Sequence, residues 1–372
     1  MAGDRTGTAL LVDLAAIVAN YNLICAGLAP GAKCMAVVKA DAYGLGAGPV
    51  AQALWQAGCR QFAVATIDEG MSLRAAFEDV PLEATPEIFV LHGLYPGTAE
   101  DLAAAWLTPM LNTPAQVEEW ARFADSVGRP LGAGIHIDTG MTRLGLSPAE
   151  ARELAERPLR GVTVQVVMSH LACADEVGHA KNAEQLAAFR AVRSLFPAAR
   201  ASFANSAGTQ LGPDYHFELV RPGIALYGGN PLVSGVNKFR QVAQLKAKIV
   251  QLHRVDTPRT VGYGAAHSIA GPARIATVPV GYADGYLRIL SRRGTASING
   301  VRVPVVGRVS MDLITLDVSR LAERDCTVGT EVELLGNTVT LDEVAATAGT
   351  IPYEILTRLG PRLRRSYIGA AG

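Results

Sequence analysis

A chain of 372 residues, 49% of them apolar, is long enough for two cores rather than one. Its 34 basic and 34 acidic side chains cancel, which argues against a nucleic-acid partner or an anionic membrane surface. The one basic cluster, Arg362-Leu363-Arg364-Arg365, is too short to change that balance. The five cysteines (Cys25, Cys34, Cys59, Cys173 and Cys326) are odd in number, widely spaced and without a C-x-x-C pair. They read as reduced thiols of a cytoplasmic protein, not as a disulfide framework. The first residues carry no continuous apolar segment with a cleavage site, so no signal peptide is expected. No window has the length and apolarity of a membrane span.

In chain order, the first predicted helix starts at Asp13, a plausible N-cap, with Leu14, Ile17, Val18, Tyr21, Ile24, Cys25 and Leu28 recurring at helical spacing. A second has Pro49 in its first turn and closes at Gly58. Short apolar runs predict strands at Met35–Lys39, Phe62–Thr66, Ile88–His92, Thr108–Leu111, Gly134–Asp138, Val164–Met168, Ser202–Asn205 and Phe217–Arg221, each followed by a turn or a helix-like stretch. Eight such units are what a (β/α)8 TIM-type barrel requires. An open doubly wound sheet is the competing architecture, but no G-x-G-x-x-G follows an early strand. Past residue 235 the texture changes to strands at Leu245–Val255, Ala273–Val280, Thr295–Val301, Glu331–Leu335 and Thr338–Leu341, with an Asn299-Gly300 hairpin signal. One late helix is expected from Leu341 to about Leu359, closed by Gly360. The expected organisation is a barrel over 1–232 and a mainly β domain over 233–372, joined near the Gly-, Asn- and Ser-rich segment 228–236.

Lys39 is the most informative residue. It ends an apolar run and precedes the glycine-containing turn Ala40-Asp41-Ala42-Tyr43-Gly44-Leu45-Gly46. A lysine between an apolar core and an anion-binding loop loses proton affinity and becomes a nucleophilic amine, able to form a Schiff base with a carbonyl cofactor. The plain alternative is a lysine that leaves the strand for water. Lys39, Asp138, Arg143, His170, Asn205, Ser206 and Arg221 all fall at or just past the C-terminal ends of predicted strands, the face where barrel enzymes place their sites.

Ala36-Val37-Val38-Lys39-Ala40-Asp41-Ala42-Tyr43-Gly44 resembles the cofactor-lysine motif of alanine racemases. Further motifs follow in that family's order: His136-Ile137-Asp138-Thr139-Gly140-Met141-Thr142-Arg143, Met168-Ser169-His170-Leu171, Ala204-Asn205-Ser206-Ala207, Val220-Arg221-Pro222-Gly223-Ile224, Gly262-Tyr263-Gly264, Gly281-Tyr282-Ala283-Asp284-Gly285, Ser310-Met311-Asp312 and Pro352-Tyr353-Glu354. The resemblance spans positions 36 to 354. It implies pyridoxal 5'-phosphate as cofactor, interconversion of L- and D-alanine by two bases, D-alanine supply for peptidoglycan, and a homodimer with composite sites. No metal is implied.

By the same resemblance, Lys39 anchors the cofactor and serves the D-alanine side, while Tyr263 of a partner copy serves the L-alanine side. Tyr43, Ser206, the backbone of Gly223 and Ile224, and Tyr353 contact the phosphate. Arg221 faces the ring nitrogen and, having only donors, keeps it unprotonated; His170 holds Arg221 in plane. Arg143 and the Met311 backbone meet the substrate carboxylate, and Tyr282 with Tyr353 narrows the entry. An unperturbed phenol has a pKa of about 10, so a tyrosine base needs help near neutrality. The chain departs from the family at His136, where a carbamylated lysine is frequent, and at Leu45, Ser202 and Ser310, where histidine, histidine and cysteine are frequent. The competing readings are a racemase of broader specificity and a decarboxylase of the same cofactor class. Gly262-Tyr263-Gly264 argues against the decarboxylase. The seven histidines form no H-x-H or H-E-x-x-H, and there is no G-x-S-x-G turn.

Overall fold

The computed structural model describes residues 7–81, 84–157 and 160–369. The chain begins with β1 (Thr8–Asp13) and α1 (Leu14–Ala26). The Asp13 carboxylate accepts from the Ala16 amide at 2.9 Å and so satisfies one orphan N–H of the first turn. Then come β2 (Lys33–Val37) with a single turn, α2 (Lys39–Gly44), and α3 (Ala47–Gln56); β3 (Gln61–Val64) with α4 (Ile67–Ala75); β4 (Glu87–Val90) with α5 (Ala99–Ala104); and β5 (Leu107–Leu111) with α6 (Pro114–Val127). They are followed by β6 (Leu131–His136) with α7 (Pro148–Glu156), β7 (Val162–Met168) with α8 (Ala180–Arg193), β8 (Arg200–Asn205) and β9 (Leu219–Arg221).

Strands β2 to β9 are parallel and close into an eight-stranded barrel, β2 pairing with both β3 and β9. Phe62, Ala63, Val64, Ile88, Phe89 and Val90 are completely buried, as expected of parallel strands covered on both faces. Lys39, Thr66, His92 and Asp138, expected as last strand residues, lie beyond the ladders. They belong to the loops of the barrel mouth, where polar side chains can meet a ligand.

The second domain contains β10 (Ala243–Lys248), β11 (Gln251–Val255), β12 (Arg259–Val261), β13 (His267–Ile269), β14 (Ala273–Val278), β15 (Thr295–Ile298), β16 (Val301–Val306), β17 (Ile314–Asp317) and β18 (Glu331–Leu335). It ends with α9 (Leu341–Ala348), α10 (Pro352–Thr357) and β19 (Arg365–Ile368). Nine strands form one sheet in the order β11-β14-β17-β16-β15-β18-β10-β1-β19, and β12-β13 form a separate ribbon. The first strand of the chain therefore belongs to the last domain: β1 lies antiparallel to β10 and parallel to β19.

Three expectations are corrected here. The run Leu245–Val255 is two strands, because the Ile249 amide leaves the ladder to bond the Thr330 carbonyl at 3.0 Å. Thr338–Leu341 is no strand: the amides of Thr338 and Val339 donate to the Glu333 carboxylate at 2.7 and 3.0 Å, and Thr340 caps α9. The late helix is two helices, since Gly349 at φ +69° closes α9 and Pro352 opens α10. Asn299 and Gly300, at φ 50° and 80°, connect β15 to β16, with Ile298 paired to Val301, the geometry that two-residue hairpins favour. Among the described residues, no helix is long and apolar enough to cross a membrane.

Candidate active site

The mouth of the barrel is organised around an unusual turn. Ala40, Asp41, Ala42 and Tyr43 all sit in the left-handed helical region, at φ 52–57°. That conformation costs L-residues roughly 1–2 kcal/mol each, so the surroundings must hold it. The Ala42 amide bonds Val38 O at 2.8 Å and the Gly46 amide bonds Asp41 O at 2.9 Å. The Asp41 carboxylate takes the Ala47 amide at 2.7 Å and so starts α3. From the second domain, Arg365 Nε donates to Gly44 O at 2.8 Å and the Tyr367 hydroxyl to Leu45 O at 3.1 Å. Gly46 is required here, because a Cβ would collide with the Tyr367 hydroxyl. Lys39 stands at the head of this turn. Burial, then the charges of Arg143 and Arg221, lower the pKa of its amine, and Glu69 opposes them.

Arg221, 4% exposed, ends β9. Its Nη1 donates to Ser202 Oγ at 2.7 Å and its Nη2 to Ser169 O at 2.6 Å. The same Nη2 lies 3.2 Å from His170 Nδ1. Guanidinium can only donate, so His170 Nδ1 is the acceptor and the ring proton is on Nε2. Burial, with Arg221 and Arg143 next, pushes His170 well below the usual imidazole range, which agrees with a neutral ring. Burial brings Arg221 down to about 9, still above neutrality, so it remains a cation. Ser202 also donates to Leu219 O at 2.7 Å, which fixes its lone pairs toward the guanidinium.

Beside this cation lies a cradle of small and hydroxylated residues. The Ser206 hydroxyl, buried, accepts from the amides of Gly223 at 2.8 Å and Ala225 at 3.4 Å. A Cβ on Gly223 would collide with the Tyr43 hydroxyl; Ile224 follows it, fully buried. The Tyr43 ring packs at 4.8 Å from Tyr227 and 5.7 Å from Tyr353. Burial raises the Tyr43 phenol and pushes Tyr353 up to about 12, so both remain hydroxyl donors at neutral pH.

On the opposite wall, Asp138 accepts from the amides of Gly140, Met141 and Thr142 at 2.9, 2.9 and 3.0 Å. Burial alone would raise its pKa, but these amides bring it down. They shape the loop that presents Arg143, whose charge acts on Lys39, His136 and His170. His136 is buried, with Nδ1 2.8 Å from Asn112 Oδ1. The Asn112 amide nitrogen donates to Leu91 O and Met110 O at 3.1 and 2.8 Å. Its oxygen must therefore accept, which places the His136 proton on Nδ1. Burial, then Arg221 and Arg143, lowers His136 to about 3, so it too is neutral.

The chain matches two family models: "Alanine racemase, N-terminal domain" over residues 12–231 and "Alanine racemase, C-terminal domain" over 242–367. It is 49% identical over 368 residues to an alanine racemase of Rhodospirillum rubrum, covering 98% of this chain and 97% of that protein. It is 50% identical over 369 residues to a catabolic alanine racemase of Agrobacterium fabrum, covering 99% of this chain and 93% of that one. The chain belongs to the alanine racemase family. Among solved structures, the Bartonella henselae alanine racemase with covalently bound pyridoxal phosphate superposes with a TM-score of 0.90 at 40% identity, covering 97% and 99% of the two chains. A biosynthetic alanine racemase from Pseudomonas aeruginosa superposes with a TM-score of 0.86 at 37% identity, covering 97% and 99%.

Three candidate residues of this racemase-family chain stand apart from the mouth. Tyr263, Tyr282 and Met311 belong to the second domain and are 71%, 43% and 53% exposed. Tyr263 occupies a 3₁₀ turn between β12 and β13, flanked by Gly262 and Gly264 at φ 72° and 68°. Its hydroxyl forms no hydrogen bond among the described residues. The Met311 carbonyl takes the Ala283 amide at 3.0 Å and the Tyr282 amide bonds Ser310 O at 3.1 Å, so these two share one loop cluster. The structural roles of Ser169, Glu69 and Asn112 are not read from the sequence: Ser169 appears there only as a member of the Met168–Leu171 motif, Thr66-x-x-Glu69 is the spacing of an ordinary capping box, and Asn112 carries no motif. In the sequence Ser202 is only a departure from the family pattern; its position three residues before Asn205, in the strand that ends at the Asn205-Ser206 motif, is the available signal.

Proposed function

We propose that this chain is a pyridoxal 5'-phosphate-dependent alanine racemase that interconverts L- and D-alanine. The observation that carries the reading is Arg221: a buried, permanently charged donor set, fixed by Ser202, Ser169 and His170, in the same mouth as an amine of lowered proton affinity. The residues present fit the cofactor. Lys39 would supply the amine, the Ser206–Gly223–Ile224 corner with Tyr43 and Tyr353 would supply small, hydroxylated contacts for a phosphate, and Arg221 would hold the ring nitrogen. When bound, this group would supply an aldehyde for amines and a ring that withdraws electrons from the substrate α-carbon. A cation that only donates leaves the ring nitrogen unprotonated and limits that withdrawal, which favours simple proton exchange over transamination.

The protein's own part is to hold the substrate and move one proton. Arg143 and the Met311 amide grip the carboxylate, and Tyr282 and Tyr353 leave room for a methyl side chain. Lys39 takes or returns the proton on the D side, and Tyr263 does so on the L side. The exposure of Tyr263, Tyr282 and Met311 in one chain supports their acting on the mouth of a partner copy in a homodimer. The working compartment is the cytoplasm, in keeping with five free cysteines. The physiological product is D-alanine for peptidoglycan. A deletion strain that grows without added D-alanine, in the absence of a second racemase, would overturn that role.

The deciding experiment is a racemisation assay with cofactor-loaded protein across small and basic amino acids, followed by borohydride reduction and peptide mapping. The reading expects alanine as the preferred substrate and the reduced cofactor on Lys39. A label elsewhere, or release of carbon dioxide instead of racemisation, refutes it. Equal rates with larger amino acids replace it by the broad-specificity reading.

A further inference from the structure

Glu69 is a carboxylate at the barrel mouth that the proposed reaction does not use. It is the third residue of α4, and its partner Thr66 is the N-cap. A glutamate at that place ordinarily reaches back to the N-cap amide. Here that bond is the longest it makes, 3.3 Å to Thr66 N. Its shorter bonds leave the helix: Oε2 accepts from Ala65 N at 2.7 Å, and Oε1 accepts from Ala40 N at 2.8 Å. Ala40 follows Lys39 and is the first residue of the left-handed turn.

We propose that Glu69 is the positioning residue for Lys39, its carboxylate bridging the ends of β2 and β3 and holding the left-handed turn from which the lysine side chain leaves. The inference rests on Lys39 being the reactive amine. Both oxygens are engaged, one on each strand end, which a carboxylate can do and an amide cannot, because one end of an amide is itself a donor. The remaining supports of the turn act on Asp41, Ala42, Gly44, Leu45 and Gly46, so the Ala40 amide depends on Glu69. Glu69 is also the anion that acts on the lysine against Arg143 of the β6–α7 loop and Arg221 of β9. Position and charge work together: a base that must alternately lose and regain one proton needs a fixed approach to the reacting carbon.

Glu69→Gln separates the two roles, since glutamine serves equally well as the third residue of a capping box. Hydrogen exchange on the cofactor-free protein reads the turn directly. The Ala40 amide should be protected in the parent and exchange about tenfold faster or more in Glu69→Gln. In the loaded enzyme, the equilibrium constant of racemisation is unity, so kcat/KM falls equally in both directions, by about tenfold or more. The asymmetry appears in washout of the substrate α-hydrogen into solvent: slowed from D-alanine, the Lys39 side, more than from L-alanine. Thr66→Ala, which removes the cap and keeps the bridge, should lower the melting temperature and leave that ratio unchanged. Unchanged Ala40 protection, or a symmetric washout loss in Glu69→Gln, overturns the inference. If borohydride does not label Lys39 in the parent enzyme, the proposed function fails first; if it does and Glu69→Gln behaves as parent, only the role of Glu69 is lost.

Discussion

The barrel mouth and the Tyr263 loop are built on opposite plans. In the mouth, Arg221, Ser202, Ser206, His136 and Tyr43 are buried, and each is held by a hydrogen bond or a ring contact: Arg221 with Ser202, Ser206 with Gly223, His136 with Asn112 and Tyr43 with Tyr227. The Tyr263 ring, by contrast, is 71% exposed on a turn held by two glycines of positive φ. The difference teaches that one chain fixes the mouth in which the proposed cofactor would sit and leaves Tyr263, the proposed second base, exposed. A fixed half-site lined with neutral histidines and one buried cation needs no partner to set its electrostatics. The Tyr263 turn, with the Arg308 guanidinium beside Gly264, faces outward, which is where the proposed reaction needs a second copy to bring its mouth.

The largest expected effect comes from removing the amine: Lys39→Ala should lower kcat by about 10⁴-fold or more, and a variant with parent turnover would break the assignment of the mouth. Next is Tyr263→Phe. Washout of the α-hydrogen from L-alanine should fall by roughly 10²–10⁴-fold while washout from D-alanine persists, and an equal loss from both would erase the division of labour between the two regions. Ser202→Ala leaves a buried guanidinium N–H without its acceptor, at a cost of about 1–3 kcal/mol, read as a lowered urea midpoint. The matching surface change, Ser310→Ala in the exposed loop cluster, should cost under about 1 kcal/mol.

His136 sharpens the comparison through pH. Its folded pKa is about 3 against an ordinary 6.5, so below pH 6.5 the unfolded chain binds the proton and the folded chain does not. The stability this ring contributes is complete above pH 6.5 and is lost as the pH falls toward 3. At pH 5 the loss is about 2 kcal/mol. Unfolding free energies from denaturant titrations at pH 7.5 and pH 5 should converge by that amount in His136→Gln relative to the parent. The smallest effect concerns Cys25 at the end of α1. A hydrogen bond from Cys34 lowers its pKa to about 7, against burial, so it should alkylate ahead of buried Cys34 and Cys59, with a rate that rises between pH 6 and pH 8.

The barrel was legible because its strands are short, continuously apolar and regularly followed by turn signals, and the Asn299-Gly300 hairpin was legible for the same local reason. The second domain was harder. Its strands pair across long sequence distances, as β1 with β10 and β19, and a glutamate that collects loop amides, Glu333, makes Thr338 and Val339 look extended without a ladder. At the site, Lys39 and Arg221 stood out as charged residues ending apolar runs. The roles of Ser169 and Asn112 could not be read, because one acts through its carbonyl and the other by fixing a histidine tautomer. Neither leaves a mark in residue type or spacing. The left-handed turn was hidden too: three alanine or aspartate residues and a tyrosine do not advertise positive φ, and its supports include distant partners on α4 and β19 as well as local hydrogen bonds.

The central claim, that the fixed mouth of one chain is completed by the exposed loop of another, is tested most directly by mixing two inactive variants. Lys39→Ala and Tyr263→Phe chains, unfolded together, refolded with cofactor and assayed, should regain up to about a quarter of parent activity, since half of the dimers are hybrid and each hybrid carries one intact site. Activity no higher than that of the separate variants would contradict it.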